Sequence, residues 1–206
     1  MSPKGKKTVG GTGRDPDRTR QRILDAALQE FSARGFAGAR VSGIARGAKV
    51  NKRMLYHYFN DKEGLFRAVL RHKISDRQSR VAALTPPNDL TSSLTLWFRQ
   101  NCQDTDWVRL LGWESLQANK DAVLDEPERR RIARLAVARI KKKQAAGQLR
   151  KDVSAAHLQL AKTSLAMFPI ALPQIARLIL GGSPHRPRFQ REYARFLETI
   201  SAAFRA

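Results

Sequence analysis

Between Asn51 and Phe59 the chain reads Asn51-Lys52-Arg53-Met54-Leu55-Tyr56-His57-Tyr58-Phe59. Wound at about 100° per residue, Lys52, Arg53, Tyr56 and His57 fall on one half of a helical wheel, and Met54, Leu55, Tyr58 and Phe59 on the other. The first half offers two cations, a phenol and an imidazole. Lys and Arg read guanine edges or neutralise phosphate, while Tyr and His donate to phosphate oxygens. The second half is apolar and suited to docking on another helix, so Leu55, Tyr58 and Phe59 read as core. A short exposed helix with this division fits a DNA groove. Arg53 has two readings, a bidentate contact to guanine or a plain phosphate contact.

No competing chemistry stands out. The sequence contains no Gly-rich phosphate loop, no nucleophile elbow and no convincingly spaced carboxylate pair. His72, His157 and His185 have no metal-ligand spacing with one another or with Cys102. No metal, cofactor or enzymatic activity is expected. Charge points the same way as the wheel. Lys and Arg number 39 against 18 Asp and Glu, a formal net charge of +21. A surplus of this size usually marks a polyanionic partner. The lone Cys102 forms no intrachain disulfide and fits a reducing cytosol. Met1 to Gly13 lacks the apolar core of a secretion signal. The longest apolar stretch, Leu165 to Leu180, is broken by Pro169, Pro173, Gln174 and Arg177 and falls short of the roughly 20 residues of a membrane span. These features predict a cytoplasmic protein with no membrane partner.

The elements that must position the segment follow from periodicity and caps. Ile23, Leu24, Ala27, Leu28 and Phe31 recur at helical spacing over Thr19–Arg34, and Gly35 suits a C-terminal cap. A short helix fits Val41–Gly47, and Ala48-Lys49-Val50 connects it tightly to a helix over Lys52–Phe59 capped by Asn51. Asp61 can cap a fourth helix bearing Leu65, Phe66, Val69 and Leu70. Further helices are expected near 90–103, 106–119, 127–146, 155–180 and 187–205, with Pro169 and Pro173 kinking or interrupting the penultimate one. No stretch alternates like a strand. The expected fold is all-α: a basic disordered arm over 1–17, a three-helix helix-turn-helix domain over 18–64, and a larger helical domain over 65–206. The arm reads equally as a DNA contact or a solvated tail.

The run Val41-Ser42-Gly43-Ile44-Ala45 through Val50, then Leu55-Tyr56-His57-Tyr58-Phe59 and Lys62-Glu63-Gly64-Leu65, resembles the TetR family of transcriptional regulators. The resemblance is close over about 18–66, and the C-terminal part matches only in layout. It implies that Asn51 caps the recognition helix, that Lys52, Tyr56 and His57 contact phosphates or bases, and that Lys62 meets a phosphate. It also implies that the start of the second helix, at Arg40, Val41 and Ser42, holds a phosphate on its amides. Ala39, Arg53 and Met54 depart from the family pattern. Ala39 removes a capping Thr whose role Ser42 can take, and Arg53 with Met54 leaves the operator sequence open.

The resemblance further implies a small-molecule effector, a homodimer and a double-stranded operator. Trp97, Trp107, Trp113 and Phe168, with Arg109 and Glu114 as polar handles, are the candidate lining of a largely apolar effector pocket. Each tryptophan taken singly reads better as core. Tyr193, Phe196, Leu197, Ile200 and Phe204 form a helical stripe, and Leu165, Ile175 and Ile179 lie on an apolar preceding helix. Two such pairs make a two-fold four-helix bundle, which places two recognition helices on a palindrome about 34–36 Å apart or a multiple of that. In the implied mechanism the effector moves the fourth helix and lowers operator affinity. A sequence-nonspecific basic nucleic-acid binder is the alternative.

Overall fold

The computed structural model describes residues 15–83, 90–116, 123 and 125–206. Among them the chain forms ten α-helices and no strand: α1 (Pro16–Gly38), α2 (Val41–Gly47), α3 (Lys52–Phe59), α4 (Lys62–Ala83), α5 (Leu90–Gln103), α6 (Thr105–Ser115), α7 (Glu126–Ala145), α8 (Ala155–Ala171), α9 (Pro173–Leu180) and α10 (Pro187–Ala202).

Caps explain most boundaries. Asp15 accepts from the amides of Asp17 and Arg18, and Pro16 opens α1 where its missing N–H costs nothing. Pro16 and Asp17, expected in the arm, are therefore helical; the rest of that arm, 1–14, lies outside the described residues. At the other end Gly35 takes φ 69°, ψ 175°, so the regular helix stops there and a short turn carries on to Gly38. The Asp61 side chain accepts from the Gly64 amide at 2.6 Å and starts α4. Ser154 caps α8 through the His157 amide.

The stretch expected as one interrupted helix over 155–180 is two helices bent by 90°. Pro169 is absorbed inside α8, and the break comes at Leu172, at φ −126°, ψ 63°. A residue preceding proline is disfavoured in the α region, so Pro173 sets the corner. No single described helix is long and apolar enough to cross a membrane.

Three apolar clusters hold the chain together. The first joins Ile23, Leu24, Ala27 and Phe31 of α1 to Ile44, Leu55 and Phe59, and on to Leu65, Phe66, Val69 and Leu70 of α4 and Leu110 of α6. The boundary expected after residue 64 thus cuts through a continuous core, because α4 packs its first half on α1. The second cluster gathers Leu94, Phe98, Val108, Ala166, Ile170, Phe189 and Leu197 among α5, α6, α8 and α10. The third, with Ile140, Leu149, Ala155 and Leu158, anchors α7 to α8 and takes in Phe204.

Candidate nucleic-acid interface

The recognition segment divides as its wheel requires. Leu55 and Phe59 are buried in the first cluster, Tyr58 packs half-buried against it, and Met54 is half-buried. Lys52, Arg53, Tyr56 and His57 are exposed, with Tyr56 at 48%. Asn51 caps the helix through its side-chain oxygen, which accepts from the Met54 amide at 2.8 Å. The result is a one-sided helix, fixed by its apolar half, whose exposed half carries Lys52, Arg53, Tyr56 and His57.

Two flanking elements set its orientation. The α2–α3 turn is closed by Val50 N–H donating to Ala45 C=O at 3.0 Å, with Lys49 in the left-handed region at φ 55°. The start of α2 is held by the Arg40 amide donating to the Glu30 carboxylate at 3.1 Å. Ser42 does not replace the absent capping Thr: no side chain caps α2, and Arg40 is exposed while Val41 and Ser42 are half-buried. Lys62 is engaged within the protein. Its ammonium donates to Ala37 C=O at 3.3 Å and lies 4.9 Å from the centre of the Phe36 ring, tying α4 to the end of α1.

The six residues expected to line one effector pocket are not brought together. Trp97 and Trp107 flank the Arg77 guanidinium, 5.5 and 5.4 Å from their ring centres. Trp113 points elsewhere, because six residues along α6 turn its side chain about 240° from Trp107. Its indole N–H donates to Ser32 C=O at 3.2 Å, and its ring covers Gly35. Arg109 is exposed, and Glu114 accepts from Arg129 at 2.6 Å. Phe168 lies on a separate apolar groove of about 820 Å³ between α8, α9 and α10.

Sequence reasoning missed the polar cluster behind the two tryptophans. Lys73 and Arg77, one turn apart on α4 and both buried, share Asp104 at 2.7 and 3.5 Å. Arg77 also donates to Asn101 Oδ1 at 3.0 Å, and Asn101 Nδ2 donates to Ala166 C=O of α8 at 2.9 Å. Burial pulls the Arg77 guanidinium below its usual basicity, and Asp104 works in the opposite direction. Two cations four residues apart on an otherwise charged helix give no sequence signal of burial. The cluster joins the helix that enters the DNA-reading domain to the floor of the C-terminal one.

The expected dimer stripe also divides. Leu197 is 0% exposed in the second cluster and is core of the protomer, as Phe204 is largely of the third. Tyr193 packs on Phe98 and Phe189, and its hydroxyl donates to Leu165 C=O at 3.0 Å. Ile200 is half-buried, while Ile175, Ile179 and Phe196 are exposed. Leu178 at 81% and Leu180, not anticipated, extend the same apolar face.

A tight two-helix unit with a buried apolar half, an exposed donor half and a helical domain behind it defines a helix-turn-helix DNA-binding regulator. Known proteins agree. The family described as bacterial regulatory proteins, tetR family, matches residues 23–69, and the tetracyclin repressor-like C-terminal domain matches 89–201. The chain therefore belongs to the TetR family. It is 30% identical to the HTH-type transcriptional repressor SCO4008 of Streptomyces coelicolor, covering 82% of this chain and 87% of that one. To the HTH-type transcriptional repressor NicS of Pseudomonas putida it is 32% identical, covering 78% and 79%. The solved structure of SCO4942 from Streptomyces coelicolor superposes with a TM-score of 0.73 at 25% identity, covering 88% of this chain and 97% of that one.

Proposed function

We propose that the protein is a cytoplasmic, ligand-responsive repressor that binds a palindromic operator as a homodimer and leaves it when a small molecule occupies the C-terminal domain. The observation that carries this reading is the exposed quartet Lys52, Arg53, Tyr56 and His57 on a capped helix locked from behind by Leu55 and Phe59. Arg40, Val41, Ser42 and Lys62 flank it as backbone contacts. The effector site narrows to the wall formed by Trp97 and Trp107, because a molecule there also meets Arg77 on α4. Displacing Arg77 transmits directly to the helix whose first half is built into the DNA-reading core. The effector needs only to prefer the displaced state to weaken operator binding.

The test compares binding to the gene's own upstream DNA with scrambled DNA at fixed salt. A strong preference for the upstream DNA supports operator recognition. Equal affinities favour the second reading, a charge-driven binder, for which the net charge of +21 speaks. Arg53→Ala is expected to cost about 1–3 kcal/mol and to relax discrimination at one base pair. An equal loss on every operator variant assigns Arg53 to phosphate instead. Effector release is checked by whether any of a panel of apolar compounds both quenches tryptophan fluorescence and lowers operator affinity.

A further inference from the structure

Beside the recognition helix lies a second concavity, of about 700 Å³, between the start of α1, the end of α2 and the α2–α3 turn. Arg18 and Arg22 of α1, Arg46 of α2 and Lys49 of the turn line it, and all four are exposed. Among the described residues none of the four has an ion pair. The one carboxylate at the rim, Asp15, is occupied in capping α1. Asn51 and Met54, the cap and first turn of the recognition helix, line the same concavity, so it abuts the N-terminal end of that helix.

Lys49 makes the cluster more than a basic surface. It holds φ 55°, a conformation that a residue with a Cβ enters at a cost and that glycine enters freely. Its carbonyl accepts from Arg22 Nη2 at 3.4 Å, which brings the Arg22 guanidinium against the turn that carries Lys49. Nothing in the turn's geometry requires a long cationic side chain there, and strained positions persist where function holds them. Lys49 thus places a cation at a turn position whose backbone conformation favours glycine.

We propose that Arg18, Arg22, Arg46 and Lys49 form a phosphate cradle that grips the DNA backbone next to the groove read by α3. The proposal rests on the DNA-binding reading above. Such contacts carry no sequence information, and each neutralised phosphate adds about 0.9 to the slope of log affinity against log salt.

The experiment measures binding of the full-length protein to its own upstream DNA across a salt series, for wild type, Lys49→Gly, Arg46→Gln and Arg99→Gln. Arg99 is an exposed cation on α5, remote from the cradle. Because the dimer carries two cradles, Lys49→Gly is expected to lower affinity about 25- to 100-fold near 0.1 M salt and the slope by about 1.8, two phosphates per complex. It should also raise Tm by about 2–4 °C, since the turn loses its strain. Higher stability with weaker binding excludes misfolding as the cause. Arg46→Gln should lower the slope similarly and Arg99→Gln should not, while the preference for operator over scrambled DNA stays at the wild-type ratio in all three. Unchanged slopes in both cradle variants, with wild-type binding intact, overturn the cradle alone. A wild-type chain that binds no DNA overturns the parent reading and the cradle together.

Discussion

At the scale of single residues, the half-wheel pattern of α3 was legible because the helix is short, capped and packed on one side only. The burial of individual cations was not. Lys162 of α8 is the clearest case: its ammonium lies 6.0 Å from the Trp97 ring centre, and burial, followed by the fields of Lys143 and Arg139, pulls its pKa down to about 8. In the unfolded chain the same group titrates near 10.4. Between these two values the unfolded state keeps a proton that the folded state has released, so stability rises with pH across that window. Below pH 8 both states are protonated, and the fold carries the full cost of a charged group out of water. Lys162→Met is expected to stabilise the protein by roughly 1–2 kcal/mol at pH 7 and to remove this rise. Urea unfolding of both proteins at pH 7 and pH 10 measures it. A difference between them that does not change with pH would remove Lys162 as its source.

At the scale of elements, Gly35 does two things at once. Its φ of 69° ends the regular part of α1, and a Cβ at that position would stand 2.7 Å from the Trp113 ring of α6. The helix end and the seam between the two domains are therefore one feature. Gly35→Ala is expected to destabilise by about 2–4 kcal/mol, the sum of backbone strain and overpacking. In a Trp113→Ala background the same change should cost only about 1 kcal/mol, since the strain alone remains. Additive losses in that cycle would mean the contact with Trp113 contributes nothing. The sequence announced the stop at Gly35 through local rules, but not the partner ring, which comes from 78 positions further on. The same limit governs α8 and α9. Pro173 fixed the corner locally, whereas the separation of Trp107 from Trp113, and hence the failure of the expected pocket, depended on which face of α6 each neighbour covers.

At the scale of the molecule, apolar surface is left over. Phe168 of α8, Ile175, Leu178, Ile179 and Leu180 on α9, and Phe196 on α10 are all exposed, and the α8–α10 groove lies among them. Contiguous apolar surface of this kind marks an interaction site rather than a resting exterior. Two-fold pairing would bury it and would also set two recognition helices at a fixed spacing, as a palindromic operator needs. The protein is therefore expected to sediment at twice the protomer mass. Ile179→Arg should shift it to the protomer mass without loss of helical circular dichroism, because Ile179 is 72% exposed and contributes little to the protomer's own core. Leu197→Ala should behave oppositely. It opens a cavity in the second cluster, costs about 2–5 kcal/mol of protomer stability, and leaves the apolar face chemically unchanged. Operator affinity should fall steeply for Ile179→Arg on the full palindrome and little on an isolated half-site, since only the former uses both protomers. An Ile179→Arg protein that remains at twice the protomer mass would place the two-fold contact on another surface.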